Sequence, residues 1–183
     1  MSTLSASNAR GRRSMATTDM TKTEVKVKRL SLVSPKPFTE IVAAIDAAIG
    51  HPDMPQFQKK MAAAGSWEDL EKVVAAAVGR SGLMEFVRFD FGAVLKKAQA
   101  SSAPRILRII LGNPLIMKQM TARAPDAGSY APVTILIDER ADGVHLSYDF
   151  MASYLAPYAD EDALEVAHSL DAKVRALLLA AAG

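Results

Sequence analysis

Residues 133–149 read Val133-Thr134-Ile135-Leu136-Ile137-Asp138-Glu139-Arg140-Ala141-Asp142-Gly143-Val144-His145-Leu146-Ser147-Tyr148-Asp149. Residue character alternates on both sides of Ala141-Asp142-Gly143, which predicts two strands joined by a hairpin turn. Successive strand side chains point to opposite faces. Val133, Ile135, Ile137, Val144, Leu146 and Tyr148 therefore share one face, suited to a core. Thr134, Leu136, Asp138, His145, Ser147 and Asp149 share the other, which is half polar. Two earlier segments extend the pattern: Leu83 to Phe91, and Arg105 to Leu111 after Pro104. Their alternation adds Val87, Phe89, Phe91, Leu107, Ile109 and Leu111 to the core face. It assigns Phe86, Arg88, Asp90, Ile106, Arg108 and Ile110 to the open face.

Helices flank these strands. Residues 24–33 read as a first strand whose apolar phase slips between Val27 and Leu30, as a bulge would produce. Phe38, Ile41, Val42, Ile45, Ala48 and Ile49 follow at helical spacing, with Gly50 as the stop. Asp53 with Pro55 opens a short helix, and Ser66-Trp67-Glu68-Asp69 caps another with Trp67, Leu70, Val73, Val74, Ala77 and Val78 as its apolar stripe. Asp90 precedes a helix beginning near Gly92, and Pro114 suits the first turn of a helix carrying Leu115, Met117 and Met120. Asp160 caps a final helix with Leu164, Ala167, Leu170, Val174, Leu177 and Leu178 inward. The sequence predicts an α+β fold, an antiparallel sheet with helices packed on one face.

Gly112-Asn113-Pro114, Ala131-Pro132, Asp142-Gly143, Ser147-Tyr148-Asp149 and Tyr154-Leu155-Ala156 together resemble the domain of unknown function 302 family. The likeness covers residues 83–158 well and 26–50 loosely. It implies a compact fold like the TATA-binding-protein half-domain, a curved antiparallel sheet backed by helices, commonly a dimer, and no cofactor. Against that compact pattern, residues 51–80 read as an inserted helical segment. In Asp90-Phe91-Gly92-Ala93, Phe91 stands where the family commonly has histidine, which removes any role resting on that imidazole.

The chain has 183 residues, half of them apolar, which suits one domain. The expected division is a leader over residues 1–22 and a single domain over 23–183. Residues 1–22 carry Arg10, Arg12, Arg13 and Lys22 against Asp19, leaving 18 basic and 19 acidic side chains beyond them. The pI near 8.9 is thus a property of the leader, whose Ser-, Thr- and Arg-rich composition fits a disordered segment or an organellar targeting segment within residues 1–20. Nucleic-acid binding draws most of its affinity from neutralised phosphates. A domain of net charge −1 argues against it. No apolar run approaches the length of a membrane span, and the expected location is cytoplasmic. The chain has no cysteine, so disulfides and thiol chemistry are excluded.

His51, His145 and His168 are scattered, and no pair has metal-ligand spacing. His145 could reach Asp138 or Asp149 as an acid–base pair, or be a hydrogen-bonded surface residue. Glu85, Arg88 and Asp90 share a strand with Arg108 next door. Two arginines there could hold a carboxylate or phosphate, or pair with Asp90 and Asp138. Asp90 could equally serve as a helix cap. Met117 suits an irregular apolar ligand or the core. Asn113 caps a helix or faces a site, and Tyr130 points into a pocket or closes its loop. These eight residues, Glu85, Arg88, Asp90, Arg108, Asn113, Met117, Tyr130 and His145, are the candidate ligand set; no catalytic constellation stands out. The functional reading is a homodimeric binding module for a small, partly apolar ligand. The alternative is an enzyme using Asp90, Glu85 or His145 for proton transfer on a small organic acid or carbonyl compound.

Overall fold

The computed structural model describes residues 20–99 and 103–183. The leader expectation falls outside the described residues up to residue 19. Five strands form one open antiparallel sheet. They are β1 (Arg29–Ser34), β2 (Met84–Asp90), β3 (Ile106–Gly112), β4 (Val133–Arg140) and β5 (Gly143–Asp149). Their order is β1-β5-β4-β3-β2, so β2 to β5 run as a meander and β1 adds along β5. The quoted hairpin forms in the expected register, with Ile137 opposite Leu146 and Arg140 opposite Gly143. Gly143 holds φ at +136°, and a Cβ there would lie 2.7 Å from the Ser34 carbonyl oxygen of β1. Only glycine fits both demands.

Seven α-helices accompany the sheet among the described residues: α1 (Phe38–Asp46), α2 (Met54–Ala63), α3 (Trp67–Ala75), α4 (Phe91–Gln99), α5 (Pro114–Thr121), α6 (Met151–Leu155) and α7 (Glu161–Ala182). Side-chain oxygens of Asp53, Ser66, Asn113 and Asp160 accept backbone N–H bonds at the starts of α2, α3, α5 and α7. Those bonds satisfy donors that a helix start otherwise leaves orphaned. The main core lies between the sheet and α1 with α7. Ile41, Ile45, Val174 and Leu178 pack there with Ile109, Ile135, Ile137 and Leu146, all fully buried. A second cluster joins Phe57, Val74 and Met84, with Leu70, Phe86 and Leu115 against it. Gly50 ties the two regions: it bridges Met84, and a Cβ on it would fall 1.9 Å from the Ala77 carbonyl oxygen.

Three expectations are corrected. Pairing in β1 starts at Arg29, opposite Asp149, so Val27 lies outside the ladder and its slipped phase reflects no bulge. The bulge sits in β2 instead: Glu85 faces Leu111 and Val87 faces Ile110, leaving Phe86 as the extra residue. One extra residue moves all later side chains to the other face. Arg88 therefore joins Ile109 on the helix-covered side, while Val87 and Phe89 are exposed on the open side. Phe91 opens α4 and stacks on Phe89 with centroids 6.1 Å apart. Third, Trp67 is 46% exposed and outside the α3 stripe. Its ring lies 4.6 Å beneath the Lys118 ammonium of α5, a cation–π contact.

One polar residue interrupts the apolar stripe of α7. Asp171 is 4% exposed. Its carboxylate accepts the N–H groups of Met151 (2.7 Å) and Ala152 (3.0 Å), at the start of α6, and the Tyr148 hydroxyl of β5 (2.5 Å). Burial, reinforced by the Asp171 charge, pushes the Tyr148 phenol well above its usual range. Charge-assisted bonds in low dielectric are strong, and removing one partner strands the others. Replacing Asp171 by leucine leaves the Ala152 N–H and the Tyr148 hydroxyl buried without acceptors, and the Met151 N–H with only a long 3.4 Å bond to the Tyr148 oxygen. Urea unfolding of Asp171→Leu is expected to show a loss of about 3–5 kcal/mol, and of Tyr148→Phe about 1 kcal/mol, because the phenol is one donor of three.

Candidate functional site

Two concavities and one charged cluster collect six of the eight candidate residues. The first concavity is an apolar groove of about 680 Å³ among α2, α5 and the end of β3. Met54, Phe57 and Met61 come from α2, Met117 and Met120 from α5, and Phe86 from the β2 bulge. Gly112 and Pro132 form part of its floor, and a Cβ on Gly112 would lie 3.3 Å from the Pro132 Cβ. No lining side chain is charged. Asn113 borders the groove, but its amide is occupied: Oδ1 accepts from the Leu115 N–H and Nδ2 donates to the Gly82 carbonyl, at 2.8 and 2.9 Å. Met120 is fully buried, whereas Met117 is 37% exposed at the lip.

The second concavity is a cleft of about 640 Å³ on the open face of the sheet. Arg108, Ile110, Thr134 and Leu136 form its floor from β3 and β4, where Arg108 stands opposite Leu136 and Ile110 opposite Thr134. One wall is aromatic. The Tyr130 ring stacks on Tyr154 at 4.7 Å and 17°, and the Tyr130 and Tyr158 hydroxyls share a 2.8 Å hydrogen bond. That bond pushes the Tyr158 phenol up to about 12. Tyr154 donates to Asp149 at 3.3 Å, and Asp149 accepts two bonds from Arg29, at 2.5 and 2.8 Å. The Arg29 guanidinium holds the Asp149 carboxyl below its ordinary value of 3.8, while burial and the Asp149 charge raise the Tyr154 phenol. Arg108 makes no salt bridge among the described residues; its one side-chain partner is the Thr134 hydroxyl at 3.5 Å.

The charged cluster lies at the β2 edge. Arg88 donates to Asp46 and to Glu85, each at 2.5 Å, and His51 Nδ1 sits 3.5 Å from Glu85. Ligand atoms of Asp46, His51 and Glu85 come within 4.8 Å of one another, spacing compatible with a cation. The guanidinium already bonds the same carboxylates. The arrangement is an ion-pair network that pins the end of α1 to β2.

The eight sequence-selected residues thus separate. Asn113 and Met117 meet at the groove, Arg108 and Tyr130 at the cleft, Glu85 and Arg88 at the edge network. Asp90 caps α4, accepting the Ala93 N–H at 2.8 Å. His145 bonds Asp142 at 2.8 Å, neither Asp138 nor Asp149, because the hairpin turn brings Asp142 closer. Asp138 pairs with Arg140. Arg88 and Arg108 stand on opposite faces, so the expected arginine pair and their pairing with Asp90 and Asp138 do not form. Sequence reasoning missed Arg29 and Tyr154 as partners of Asp149. Ser147-Tyr148-Asp149 and Tyr154 stood out as motifs, but the partnership needed the β1–β5 register.

A family model described as "Domain of unknown function DUF302" matches residues 57–181, beginning inside α2. A crystal structure of an uncharacterised conserved DUF302 protein from Bacillus stearothermophilus superposes with a TM-score of 0.59 at 9% identity. It covers 84% of this chain and 97% of that one. At that identity the likeness carries the fold alone. No curated protein matches. No helix among the described residues is long and apolar enough to cross a membrane.

The Arg29–Asp149 pair carries a pH dependence of known sign. A carboxyl depressed in the folded state stabilises fully above its unfolded pKa and loses that contribution as pH falls through the folded value. Wild type is expected to lose stability more steeply than Arg29→Gln between about pH 4 and pH 2. The difference at neutral pH stays below about 1 kcal/mol because Arg29 is largely exposed. Urea midpoints across that range provide the check.

Proposed function

The chain belongs to the domain of unknown function 302 family, and within that family we propose that it is a binding module for a small, largely apolar ligand, working as a homodimer. One observation carries the ligand reading. A groove of about 680 Å³ is walled by methionine and phenylalanine side chains, carries no charge, and opens beside a half-exposed Met117. Apolar concavities of a few hundred Å³ with few polar groups are the usual form of small-molecule sites. Thioether side chains adapt their shape to irregular ligands. Of its two polar side chains, Asn113 is already bonded and Gln58 is an uncharged amide, which favours a neutral ligand over an acid or a base.

The dimer reading rests on a separate patch. Val87, Phe89, Phe91 and Val94 are 38–65% exposed along β2 and the start of α4, where β2 is also the edge of the sheet. Exposed apolar patches and unpaired strand edges are typical places for a second subunit. No observation favours acid–base catalysis. The buried carboxylates among the described residues, Asp138 and Asp171, are bonded and line neither concavity.

N-phenyl-1-naphthylamine, a neutral fluorescent probe, is expected to bind the wild-type protein with a single-site curve. Met117→Glu places a carboxylate at the lip, where a bound apolar molecule would strip its water. The affinity is expected to fall about tenfold or more, with little change in melting temperature at so exposed a position. Equal affinities for the two proteins would defeat the groove as the site. Light scattering at micromolar concentration is expected to give twice the chain mass for wild type, and the chain mass for Phe89→Glu. A monomeric wild type would remove the dimer from the proposal while leaving the groove standing.

A further inference from the structure

We propose that the open-face cleft is a second, separate binding site, selective for a small planar organic acid whose carboxylate pairs with Arg108 and whose unsaturated body lies against the tyrosine wall. The argument begins with charge. Of the charged side chains lining the cleft, Arg29 and Asp149 neutralise each other, whereas Arg108 has no carboxylate partner among the described residues. The cleft therefore holds one uncompensated positive charge. A guanidinium presents a planar fork that matches a carboxylate through two parallel N–H bonds. The Thr134 hydroxyl, 3.5 Å from Arg108, lies beside that fork and can donate to the same anion.

The remaining surface selects the body of the ligand. Ile110 and Leu136 make an apolar floor on either side of Arg108. Tyr130 and Tyr154 are stacked, and both hydroxyls are already used, on Tyr158 and Asp149, so the wall offers fixed aromatic surface. Phe91 marks the far rim, where the cleft meets the patch proposed for the second subunit, and is not needed for recognition by Arg108 and the tyrosine wall. Aromatic groups pre-oriented in this way favour flat, π-bearing partners. A bare inorganic anion would satisfy Arg108 but leave this surface in water. An apolar neutral molecule would use the wall and leave the arginine without a partner.

The site differs in chemistry from the apolar groove, which has no charged wall. The two concavities share only the Ala131-Pro132-Val133 segment, which borders both. Neither depends on the other for its residues of recognition.

The test uses the full chain and 2-naphthoate, an aromatic carboxylate followed by its own fluorescence. Wild type is expected to bind it, Arg108→Gln to bind about tenfold more weakly or worse, and Arg108→Lys to fall between, as expected for loss of a bidentate charge pair. Arg108 is exposed with a single long contact, so both variants should melt at the wild-type temperature. Saturating N-phenyl-1-naphthylamine should leave naphthoate binding unchanged, and inorganic phosphate should compete poorly. Four results would overturn the proposal. These are no naphthoate binding to wild type, equal affinity for wild type and Arg108→Gln, full displacement by the neutral probe, or a subunit number that changes in Arg108→Gln. The last would mean that the face belongs to an interface.

Discussion

The carboxylate of Asp171 lies where the last strand, the short helix α6 and the long helix α7 converge, and it bonds both of the elements that precede α7. A buried ionised group is tolerated only when its lone pairs are occupied, and here three donors from two elements occupy them. That requirement fixes the register of α7 against β5, since a shift of even one residue would strand the charge. With α7 held against β1 and β5, Leu170, Val174, Leu177 and Leu178 join the one core cluster that includes the covered face of the sheet, and α1 packs alongside. The consequence for function is on the other side. Because the long helices are committed to one face, the opposite face of β3 and β4 stays accessible, and the open-face cleft exists there.

The second organising constraint is the bulge at Phe86. Before it, Glu85 belongs to the helix-covered phase; after it, Arg88 does too, three residues on, which is why Arg88 bonds Glu85 directly as well as Asp46. The same extra residue places Val87 and Phe89 outward and leaves Arg108 without the arginine neighbour that plain alternation gives it. A single inserted residue therefore decides that one arginine is consumed by a structural network and the other has no carboxylate partner among the described residues. It also turns Phe86 toward the second cluster, where it becomes part of the apolar groove.

What could be read from the sequence follows from what each signal encodes. Alternation in residues 133–149 and 105–111 describes strands without irregularity, so their faces and pairings were legible. Cap residues act locally, and Asp53, Ser66, Asn113 and Asp160 each bond the helix start that follows them. A bulge leaves no mark in composition, so the faces of β2 were assigned one residue out of phase. Asp171 did leave a signal, because it is four residues after Ala167 and three before Val174, inside an otherwise apolar stripe. A charge at such a position demands partners, though the sequence does not name them. The Arg29–Asp149–Tyr154 chain was hidden for another reason: Arg29 and Asp149 are 120 positions apart, and only the β1–β5 pairing brings them together.

The two concavities show how one short segment can separate different chemistries. Ala131, Pro132 and Val133 lie between the groove and the cleft. On one side the walls are methionines and phenylalanines with no charged neighbour in the lining, so a neutral apolar molecule loses little on entering. On the other, a guanidinium with no carboxylate partner among the described residues sits on a floor of isoleucine and leucine, where an ion pair is stronger than in water but must displace less hydration than in a deep core. A neutral apolar molecule gains nothing from Arg108, and a small acid entering the groove would shed its hydration without a partner. For the two ligands proposed, selectivity would come from the cost of leaving a charge unmatched, a penalty each concavity would impose on the other's ligand.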